Sequence, residues 1–595
     1  MELRDSRRLT GANFLWSRPG ALLEVTLAED ELDLEKPLIE AWSLEARRLF
    51  ESLGWQAQSL CVRELGIPLE ARSPDCARCI ALALSAPLDG LYTATSVAEA
   101  ALDGALARLN GKPLAPGDEK FLATEARLRK ELAEEVNPAL LALRQAAHAR
   151  DVCFLSDDDK VSVGMGAGSL TFAAREAPDP ARVAWEQVHD LPMVVVTGTN
   201  GKSTTVRLLA AVANAAGLVP GISSTDWVRV GDEILDVGDW SGPGGARLVL
   251  REKRVELALL ETARGGLMRR GMALESCGLA VILNISADHL ADWGTPTLED
   301  LADAKFIVTR VASCVVLNAD DEQIVKAAAR HLNDKQEIIW FSLDAESELV
   351  RGHLAGGGRA VLAETGKIVL RGPWHLAGDR STQTFALCTL ADIPLTLGGA
   401  ALYNVANALA AVAAAADMGI EAAAISRGLR DFKSDPKDNP GRLNEFLIGG
   451  VRVLVDFAHN PSGLAALCEL TSSLPAQRRL ILLGQAGDRD EESIREMVRI
   501  AWQAGPAMLL LKELDLHLRG RELGEVPAIM EDELRQLGAP ADRWSYASSE
   551  LQAVQEALEW AQPGDLLLLL IHDSRDEVLA KLGAAAAETV KGSSD

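Results

Sequence analysis

A strand that runs through a glycine turn into a helix most constrains the fold of this chain. Residues 193–204 read MVVVTGTNGKST. The apolar start predicts a buried strand, and Gly198 and Gly201 let backbone amides approach phosphate oxygens. Lys202 supplies a positive charge, and the Ser203 hydroxyl at the helix start is a ligand for Mg²⁺. The segment predicts an ATP and Mg²⁺ site made by Gly198, Thr199, Asn200, Gly201, Lys202, Ser203 and Thr204.

The loop departs from the usual phosphate-loop spacing. That spacing places a first glycine five residues before Gly201, where this chain has Val196. The loop is therefore a shortened variant. The alternative interpretation is a simple glycine turn between a strand and a helix, and Lys202 and Ser203 at the expected positions argue against it.

After about residue 190, short apolar runs alternate with helical stretches. This alternation is typical of α/β units around a mainly parallel sheet. The predicted strands are residues 193–197, 255–260, 280–284, 314–318, 452–456, 480–484, 507–511 and 565–571. Residues 22–27 look like a strand and residues 118–150 like one long helical stretch, so an α+β domain is expected at the start.

Two breaks in this pattern predict the domain boundaries. Residues 176–190 are rich in Pro, Asp and Glu, and residues 437–441 form a turn-like KDNPG. We therefore predict an N-terminal domain at 1–175, a linker at 176–190, a central domain at 191–435 and a C-terminal domain at 436–595.

The negative net charge argues against polyanionic binding partners. Lys and Arg number 60 against 86 Asp and Glu, so the formal net charge is -26. Nucleic acids and anionic membranes need clustered positive charge, and we expect neither as a partner. The charged start MELRD has no apolar signal core, and apolar runs such as 408–416 are shorter than the ~20 residues that span a bilayer. We expect a cytoplasmic protein.

The eight cysteines are scattered, which argues against a disulfide framework. Cys76 and Cys79 have the spacing of a zinc ligand pair. No second Cys or His pair lies nearby, so two partly buried thiols are the favoured interpretation over a zinc site.

The loop GTNGKST resembles that of the Mur ligase family, which includes folylpolyglutamate synthetase and the ligase half of cyanophycin synthetase. Members of this family join an amino acid to a carboxylate with ATP. The resemblance implies an α/β fold class with a central P-loop-type domain that has a mainly parallel sheet and a Rossmann-like C-terminal domain.

The resemblance also assigns residues to the metal ions. An acidic residue at the end of a strand, here Glu261 in LLET, would ligate Mg²⁺ with Ser203, and His289 in NISADHL would hold a second ion. Lys305, in Asp303-Ala304-Lys305, matches a lysine that many Mur ligases carbamylate. The alternatives are a solvated strand-edge residue for Glu261, an ordinary polar residue for His289 and an exposed helix lysine for Lys305.

Further matching segments imply nucleotide contacts. Asn404 and Asn407 resemble residues at a helix start that reads adenine, although Tyr403 replaces the usual histidine. Arg442, in PGRL, would meet phosphate, and Asp456, in DFAHNP, would accept hydrogen bonds from ribose hydroxyls.

A narrower resemblance concerns the ligase half of cyanophycin synthetase. The segments ETARGGLMRRG, GDRDE and LRGRELGE carry it over about residues 190–595, and the segments RLTGANFLW and VSVGMGAGS resemble parts of the same enzyme before its ATP-grasp domain. Only a short linker follows VSVGMGAGS, so we expect that domain to be missing. The resemblance makes Arg264, Arg269 and Arg270 candidates for holding an acidic acceptor, with solvated surface arginines as the alternative.

Together these features predict an ATP-dependent ligase that forms an amide or isopeptide bond between an amino acid and an acidic amino acid or peptide. Lys202, Glu261, His289 and Lys305 are the candidate catalytic residues. A non-catalytic ATP-binding partner of another ligase and a phosphotransferase or ATPase are the rival interpretations. The sequence leaves open the two substrates, the role of residues 1–175 and whether the chain forms a homo-oligomer.

Overall fold

Two units make up the chain, and their boundary cuts the phosphate loop after Gly198. The computed structural model describes residues 1–55, 58–65, 76–113, 115, 117–288, 290, 292–375 and 382–592. The first unit consists of Met1–Gly198, Ala216–Ile285 and Leu290–Trp340. The second consists of Thr199–Ala215, Ser286–His289 and Phe341–Asp595. No helix in the described residues is both long and apolar enough to cross a membrane.

The first unit begins with a four-stranded antiparallel sheet in the order β1-β2-β4-β3. Its strands are β1 (Glu2–Leu9), β2 (Gly20–Leu27), β3 (Leu60–Leu65) and β4 (Arg78–Ser85). Alternate residues of β2 point to the same face, and Ala21, Leu23, Val25 and Leu27 join one apolar core with Trp42. The helices that contribute to this core are α1 (Glu35–Leu53), α2 (Leu91–Leu109) and α3 (Glu119–Glu135).

The helical stretch predicted for residues 118–150 is two helices. The second, α4 (Pro138–His148), begins at a proline, which has no backbone N–H and fits the first turn of a helix. Asn137 caps α4 by accepting a hydrogen bond from the Leu140 N–H at 3.1 Å. A small antiparallel sheet follows, made by β5 (Phe154–Ser156), β6 (Lys160–Val163) and β7 (Leu170–Ala173). Residues 174–192 contain only short 3₁₀ turns and irregular segments.

A mainly parallel sheet completes the first unit. Its order is β11-β10-β9-β12-β8-β13-β14-β15, and the pairs from β9 to β14 are parallel. The strands are β8 (Met193–Thr197), β9 (Pro220–Ser223), β10 (Trp227–Val230), β11 (Glu233–Val237), β12 (Leu257–Glu261), β13 (Cys277–Ile282), β14 (Ala312–Asn318) and β15 (Glu337–Ser342). The helices of this part are α6 (Pro243–Arg251), α7 (Arg264–Arg270), α8 (Leu298–Lys305) and α9 (Glu322–His331). The strand β8 is buried throughout, as its apolar sequence predicts.

The second unit contains the helix that follows the phosphate loop. This helix is α5 (Lys202–Ala215), and the elements after β15 are α10 (Glu348–Ala355), β16 (Arg359–Glu364), β17 (Lys367–Trp374), β18 (Thr382–Thr389), α11 (Leu402–Asp417) and α12 (Ala422–Asp431). The strands β16, β17 and β18 are antiparallel. Gly428 lets α12 approach α5, because a Cβ atom there would lie 2.4 Å from Val212 Cα.

The remainder of the second unit is a sheet with helices on both faces, in the order β19-β20-β24-β21-β22-β23. The strands are β19 (Asn444–Ile448), β20 (Val451–Asp456), β21 (Arg479–Leu483), β22 (Met508–Lys512), β23 (Trp544–Ala547) and β24 (Leu566–Leu570). The helices are α13 (Pro461–Ser473), α14 (Glu491–Gln503), α15 (Glu525–Gln536), α16 (Glu550–Trp560) and α17 (Arg575–Gly592). The central strand β24 is all leucine, and its residues alternate between two apolar cores. Such a two-sided core is typical of a parallel sheet.

Candidate active site

The phosphate loop requires glycine at position 201. Gly201 has a φ of +86°, and a Cβ atom there would lie 2.2 Å from the side-chain oxygen of Asn407. Lys202 Nζ donates a hydrogen bond to the Thr199 carbonyl at 3.0 Å. The side chains of Ser203 and Thr204 are buried at the start of α5. The loop backbone is therefore closely packed within its unit.

Five polar side chains join this loop to two later segments. We call Thr199, Asn200, Ser286, Asn460 and Ser462 the phosphate-loop cluster. The Asn200 and Asn460 amides exchange hydrogen bonds at 3.2 and 3.0 Å. Asn200 also donates to Ser462 at 3.0 Å, and Thr199 donates to the Ser286 carbonyl at 3.2 Å. Two segments that the sequence analysis singled out separately, GTNGKST and DFAHNP, thus meet in one hydrogen-bonded cluster.

The start of α11 lies against the same loop. Asn404 and Asn407 are both buried, and Asn407 donates to Asn404 Oδ1 at 3.1 Å while Asn404 donates to the Leu395 carbonyl at 3.1 Å. The hydroxyl of Tyr403 is buried and has no hydrogen-bond partner among the described residues. Burial, together with the nearby charge of Asp456, raises the pKa of Tyr403 well above its usual value. A buried hydroxyl without a partner is costly unless a ligand pairs with it.

Asp456 ends β20 and is held by backbone groups. Its carboxylate accepts hydrogen bonds from the Leu443 and Ala458 N–H groups at 2.8 and 2.9 Å. Burial raises the pKa of Asp456, and the charge of Arg442 and these N–H donors oppose that rise. The Arg442 guanidinium lies over the Phe457 ring, with 4.4 Å to its centroid. The predicted phosphate and ribose residues are therefore neighbours.

A buried ionic network supports the segment that follows Asp456. Lys512, at the end of β22, is fully buried and ion-paired with Glu550. Glu550 also accepts hydrogen bonds from the backbone N–H groups of residues 572, 573 and 574 at 2.7, 3.1 and 2.7 Å. His572 has Nδ1 3.3 Å from Lys512 Nζ and Nε2 3.2 Å from the Ala458 carbonyl. These contacts define a neutral tautomer that accepts at Nδ1 and donates from Nε2.

This network was not predicted from the sequence. Its one local signal was a lysine at the end of an apolar strand, MLLLK. Desolvation lowers the pKa of Lys512, and the Glu550 carboxylate opposes that shift. Desolvation also holds the pKa of His572 well below its usual value, with the Lys512 charge adding to the effect.

In the first unit, Glu261 ends β12 beside the strand that leads to the phosphate loop. It pairs in register with Val196 of β8 and is 2% exposed. The Thr225 N–H lies 3.4 Å from Glu261 Oε2. Its alternative interpretation as a solvated edge residue is wrong. The carboxyl ends of parallel strands are where ligands bind in α/β sheets, and Glu261 is at such an end.

Lys305 is also buried, at 4% exposed, at the end of α8. Its alternative interpretation as an exposed helix lysine is therefore wrong. Its charge lowers the pKa of Asp321, although burial is the larger effect and raises that pKa overall. Asp321 accepts a hydrogen bond from the Ile285 N–H at 2.6 Å and caps α9. Lys305 and Asp321 thus share one buried environment, and carbamylation of Lys305 stays a prediction.

The three predicted substrate arginines belong to α7 or begin it. Arg264 donates to Thr295 Oγ1 at 2.8 Å. Arg269 and Arg270 are exposed, and within the described part of the chain neither forms an ion pair with a carboxylate. Arg269 lies over the Trp293 ring, with 5.5 Å to its centroid. Their exposure is compatible with either predicted interpretation.

His289, the predicted second metal ligand, lies outside the described residues. Its neighbour Asp288 pairs with Arg489 at 2.9 Å and lies 3.5 Å from His459. The segment GDRDE, singled out in the sequence, supplies that arginine. Among the described side chains no group of three His, Cys, Asp or Glu could hold a metal ion.

Comparison with known proteins identifies the family. Residues 196–415 match the profile of the Mur ligase middle domain, and residues 441–570 match that of the Mur ligase glutamate ligase domain. The chain belongs to the Mur ligase family. The predicted family resemblance and fold class are confirmed.

Two curated relatives illustrate the range of the Mur ligase family. Cyanophycin synthetase of Trichormus variabilis is 35% identical over 411 residues, which are 68% of this chain and 44% of that protein. The chain thus matches less than half of that relative's length. The UDP-N-acetylmuramoyl-L-alanyl-D-glutamate--2,6-diaminopimelate ligase of Corynebacterium glutamicum is 27% identical over 445 residues, 72% of this chain and 76% of that protein.

Solved structures similar to part of this chain were also found. The structure of E. coli FolC in complex with ADP, without folate substrate, has 20% sequence identity and a TM-score of 0.47. That likeness covers 67% of this chain and 90% of the other.

Proposed function

We propose that the protein is an ATP-dependent ligase that joins a carboxylate to an amine through an acyl-phosphate. The reaction has two steps. A carboxylate oxygen of the acceptor attacks the γ-phosphorus of ATP, which releases ADP and leaves an acyl-phosphate. The amine nitrogen then attacks the acyl carbon and loses a proton as phosphate departs, so that an amide forms.

The observation that carries this proposal is the phosphate-loop cluster. A phosphate loop alone suits many ATP-using enzymes, whereas the reciprocal Asn200 and Asn460 hydrogen bonds join it to the DFAHNP segment. A simple phosphotransferase or ATPase has no need of that segment. The Tyr403 hydroxyl, which has no partner among the described residues, and the Asp456 carboxylate next to Arg442 are polar groups that fit a nucleoside phosphate.

The chain's own residues suit phosphoryl transfer, which depends mainly on charge and position. Lys202 brings a positive charge to the phosphates, and Arg442 adds a second. From the family resemblance, Glu261 and Ser203 are proposed as ligands of Mg²⁺, since this ion prefers hard oxygen donors. When bound, Mg²⁺ neutralises negative charge on the phosphates. His289 is proposed as a further ligand from the family resemblance.

We propose an acidic amino acid or peptide as the acceptor, because α7 presents Arg269 and Arg270 without carboxylate partners among the described residues. Guanidinium forks suit carboxylates in two-point hydrogen bonding. The chain resembles the ligase half of cyanophycin synthetase, which attaches arginine to an aspartate side chain. An aspartyl peptide with free side-chain carboxylates and arginine are therefore the first pair to test.

The test is phosphate release by the purified protein with ATP and Mg²⁺. A panel of amino acids that includes arginine is combined with a panel of acidic peptides that includes β-aspartyl peptides. The products are analysed by mass spectrometry. We expect phosphate only with a matched pair, together with a condensed product lacking one water. Lys202→Ala should abolish release, whereas Lys326→Ala, at an exposed lysine paired with Glu322, should not.

Phosphate release without a condensed product would support an ATPase or phosphotransferase instead. The other outcome is that no combination of substrates releases phosphate, while the native chain still binds ATP and Lys202→Ala does not. This result would support a non-catalytic ATP-binding partner of another ligase.

A further inference from the structure

The arginine helix α7 is too short to be stable without contacts from other segments. It has seven residues, Arg264–Arg270, and Gly265 and Gly266 are among them. Short helices with glycine in their interior are marginal without tertiary contacts. A small, mostly apolar cavity of about 20 Å³ lies next to it, lined by residues that include Leu260, Leu267 and Met272. The position of α7 therefore depends on contacts with other segments of its unit.

Residues 7–14 supply such contacts, and we call them the N-terminal clamp. The Thr10 N–H donates to the Arg270 carbonyl at 2.8 Å, and the Met272 N–H donates to the Ala12 carbonyl at 2.7 Å. The Thr10 hydroxyl adds a third hydrogen bond to the Arg270 carbonyl at 3.2 Å. The end of α7 is thus paired through its backbone with a segment 260 residues away.

Gly11 permits this pairing because it has no side chain. A Cβ atom at this position would lie 2.3 Å from the Met272 carbonyl oxygen. That oxygen belongs to backbone, which cannot rotate away as a side chain could. Any substitution at Gly11 must therefore displace the segment that ends α7.

The clamp also reaches one of the arginine side chains through Trp293. Arg7 and Arg269 both lie over the Trp293 ring, each 5.5 Å from its centroid. Arg7 is itself fixed, since it is buried and ion-paired with Glu24 at 2.6 Å. Trp293 has a φ of +55°, a conformation that is unfavourable for a bulky residue. The Trp293 ring is thus in contact with both a fixed cation and the Arg269 guanidinium.

We propose that the N-terminal clamp positions the arginines of α7 for an acidic acceptor, with Gly11 and Trp293 as positioning residues. This inference rests on the proposed ligase function. Bidentate recognition of carboxylate depends on the orientation of the guanidinium plane. The backbone contacts leave both exposed guanidinium groups available to substrate while they fix the helix that carries them. The proposal gives residues 7–14 a role in acceptor affinity.

The first test compares matched glycine variants of the full chain. Gly11→Ala introduces the clashing Cβ, whereas Gly117→Ala adds a Cβ that meets nothing within 4 Å. Hydrogen exchange followed by mass spectrometry reports on the Met272 amide. We expect exchange of the peptide containing Met272 to become about tenfold faster in Gly11→Ala and to stay unchanged in Gly117→Ala, because one backbone hydrogen bond is lost.

The second test separates positioning from general stability. Trp293→Leu removes the ring that both arginines contact, and Trp293→Phe keeps an aromatic face. Trp185→Leu is the control, since Trp185 carries Arg150 over its ring at 4.3 Å. We expect Trp293→Leu to raise the KM for the acidic acceptor about tenfold and to leave the KM for ATP and kcat nearly unchanged, with recovery in Trp293→Phe.

Two results would contradict the proposed role of the N-terminal clamp. One is equal exchange at Met272 in Gly11→Ala and Gly117→Ala, and the other is a parallel rise of both KM values in Trp293→Leu. Hydrogen exchange needs no substrate, so it judges the clamp even if no acceptor yields product. Failure to find any acceptor would instead contradict the proposed function.

Discussion

The phosphate-loop cluster and the arginine helix α7 are held in opposite ways. In the cluster, side chains make the contacts, and Asn200, Asn460 and Ser462 bond directly to one another. In α7, the backbone makes them, through Thr10 and Ala12. The side chains of Arg269 and Arg270 enter no ion pair with the described residues.

The difference follows from what each region is proposed to bind. A phosphate loop presents backbone amides to its ligand, so its side chains can be used for structural contacts. A carboxylate is recognised by guanidinium groups, so structural contacts must come from the backbone instead. The phosphate loop is thus held by its side chains and leaves its backbone amides for the ligand. The helix α7 is held by its backbone and leaves its guanidinium groups for the ligand.

The largest expected effect concerns the support of the cluster. Glu550→Ala leaves Lys512 buried without its partner, and removing one member of a buried ion pair costs about 3–5 kcal/mol. We expect a large fall in the free energy of unfolding, measured by urea denaturation. Glu131→Ala, which breaks the exposed pair with Arg127, should change it by less than about 1 kcal/mol. Equal effects would show that the network does not support this region.

The next effect concerns α7. Arg270→Ala removes a guanidinium proposed to hold the acceptor, and a hydrogen bond to a charged group contributes about 1.5–3 kcal/mol. We expect the KM for the acidic acceptor to rise at least about tenfold and the KM for ATP to stay unchanged. Steady-state kinetics with each substrate varied in turn provides the measurement. A change confined to ATP would remove the contrast between the two regions.

A smaller effect is expected at Asn200. Asn200→Ala removes its side-chain hydrogen bonds to Asn460 and Ser462, each contributing about 1 kcal/mol. The affinity for ATP, measured by isothermal titration calorimetry, should fall about fivefold to tenfold. The KM for the acceptor should be unaffected, which is the opposite of the result expected for Arg270→Ala. Unchanged ATP affinity would mean that side-chain contacts are dispensable in this loop.

The last prediction is a pH dependence of stability that arises from His572. Burial keeps its pKa well below the usual value, so the folded protein holds the ring neutral. The unfolded chain takes up a proton below about pH 6.5, so the unfolded state binds more protons there. Stability from this group is therefore present above about pH 6.5 and declines as the pH falls, by at most about 1.4 kcal/mol per pH unit.

Thermal unfolding between pH 7 and pH 5 measures this decline. His572→Gln should show a shallower decline than the native chain. His375→Gln, at an exposed position, should match the native slope. If the stability of His572→Gln declined with falling pH as steeply as that of the native chain, this result would contradict a buried neutral His572.

Local patterns predicted much of the fold. The strand at residues 193–197 has the predicted bounds, and the other predicted strands differ from the observed ones by a few residues at their ends. Many other strands were not predicted, among them β10, β11 and the three strands β16 to β18. Several of the missed strands have only three to five residues, too few to show a clear pattern. The helical stretch 118–150 was wrong in one respect, because Pro138 starts a second helix.

Candidate site residues could be singled out from the sequence where the motif is local, but not where the interacting residues are distant in the chain. The phosphate loop shows its glycines, lysine and serine within seven residues. Lys512 and Glu550 are 38 residues apart, and nothing in either segment indicates the pair. Burial of Glu261 and Lys305 was likewise not readable, because a charged residue at the end of an element is usually solvated.

The sequence by itself determined the α/β architecture, the phosphate loop and the family, because these depend on apolar periodicity and on residue types at short, regular spacing. Tertiary structure alone decided that Asn200 meets Asn460 and that Thr10 pairs with Arg270. Both contacts join residues 260 positions apart. The second is made through the backbone, which has the same donors and acceptors at nearly every residue and so leaves no pattern in the sequence.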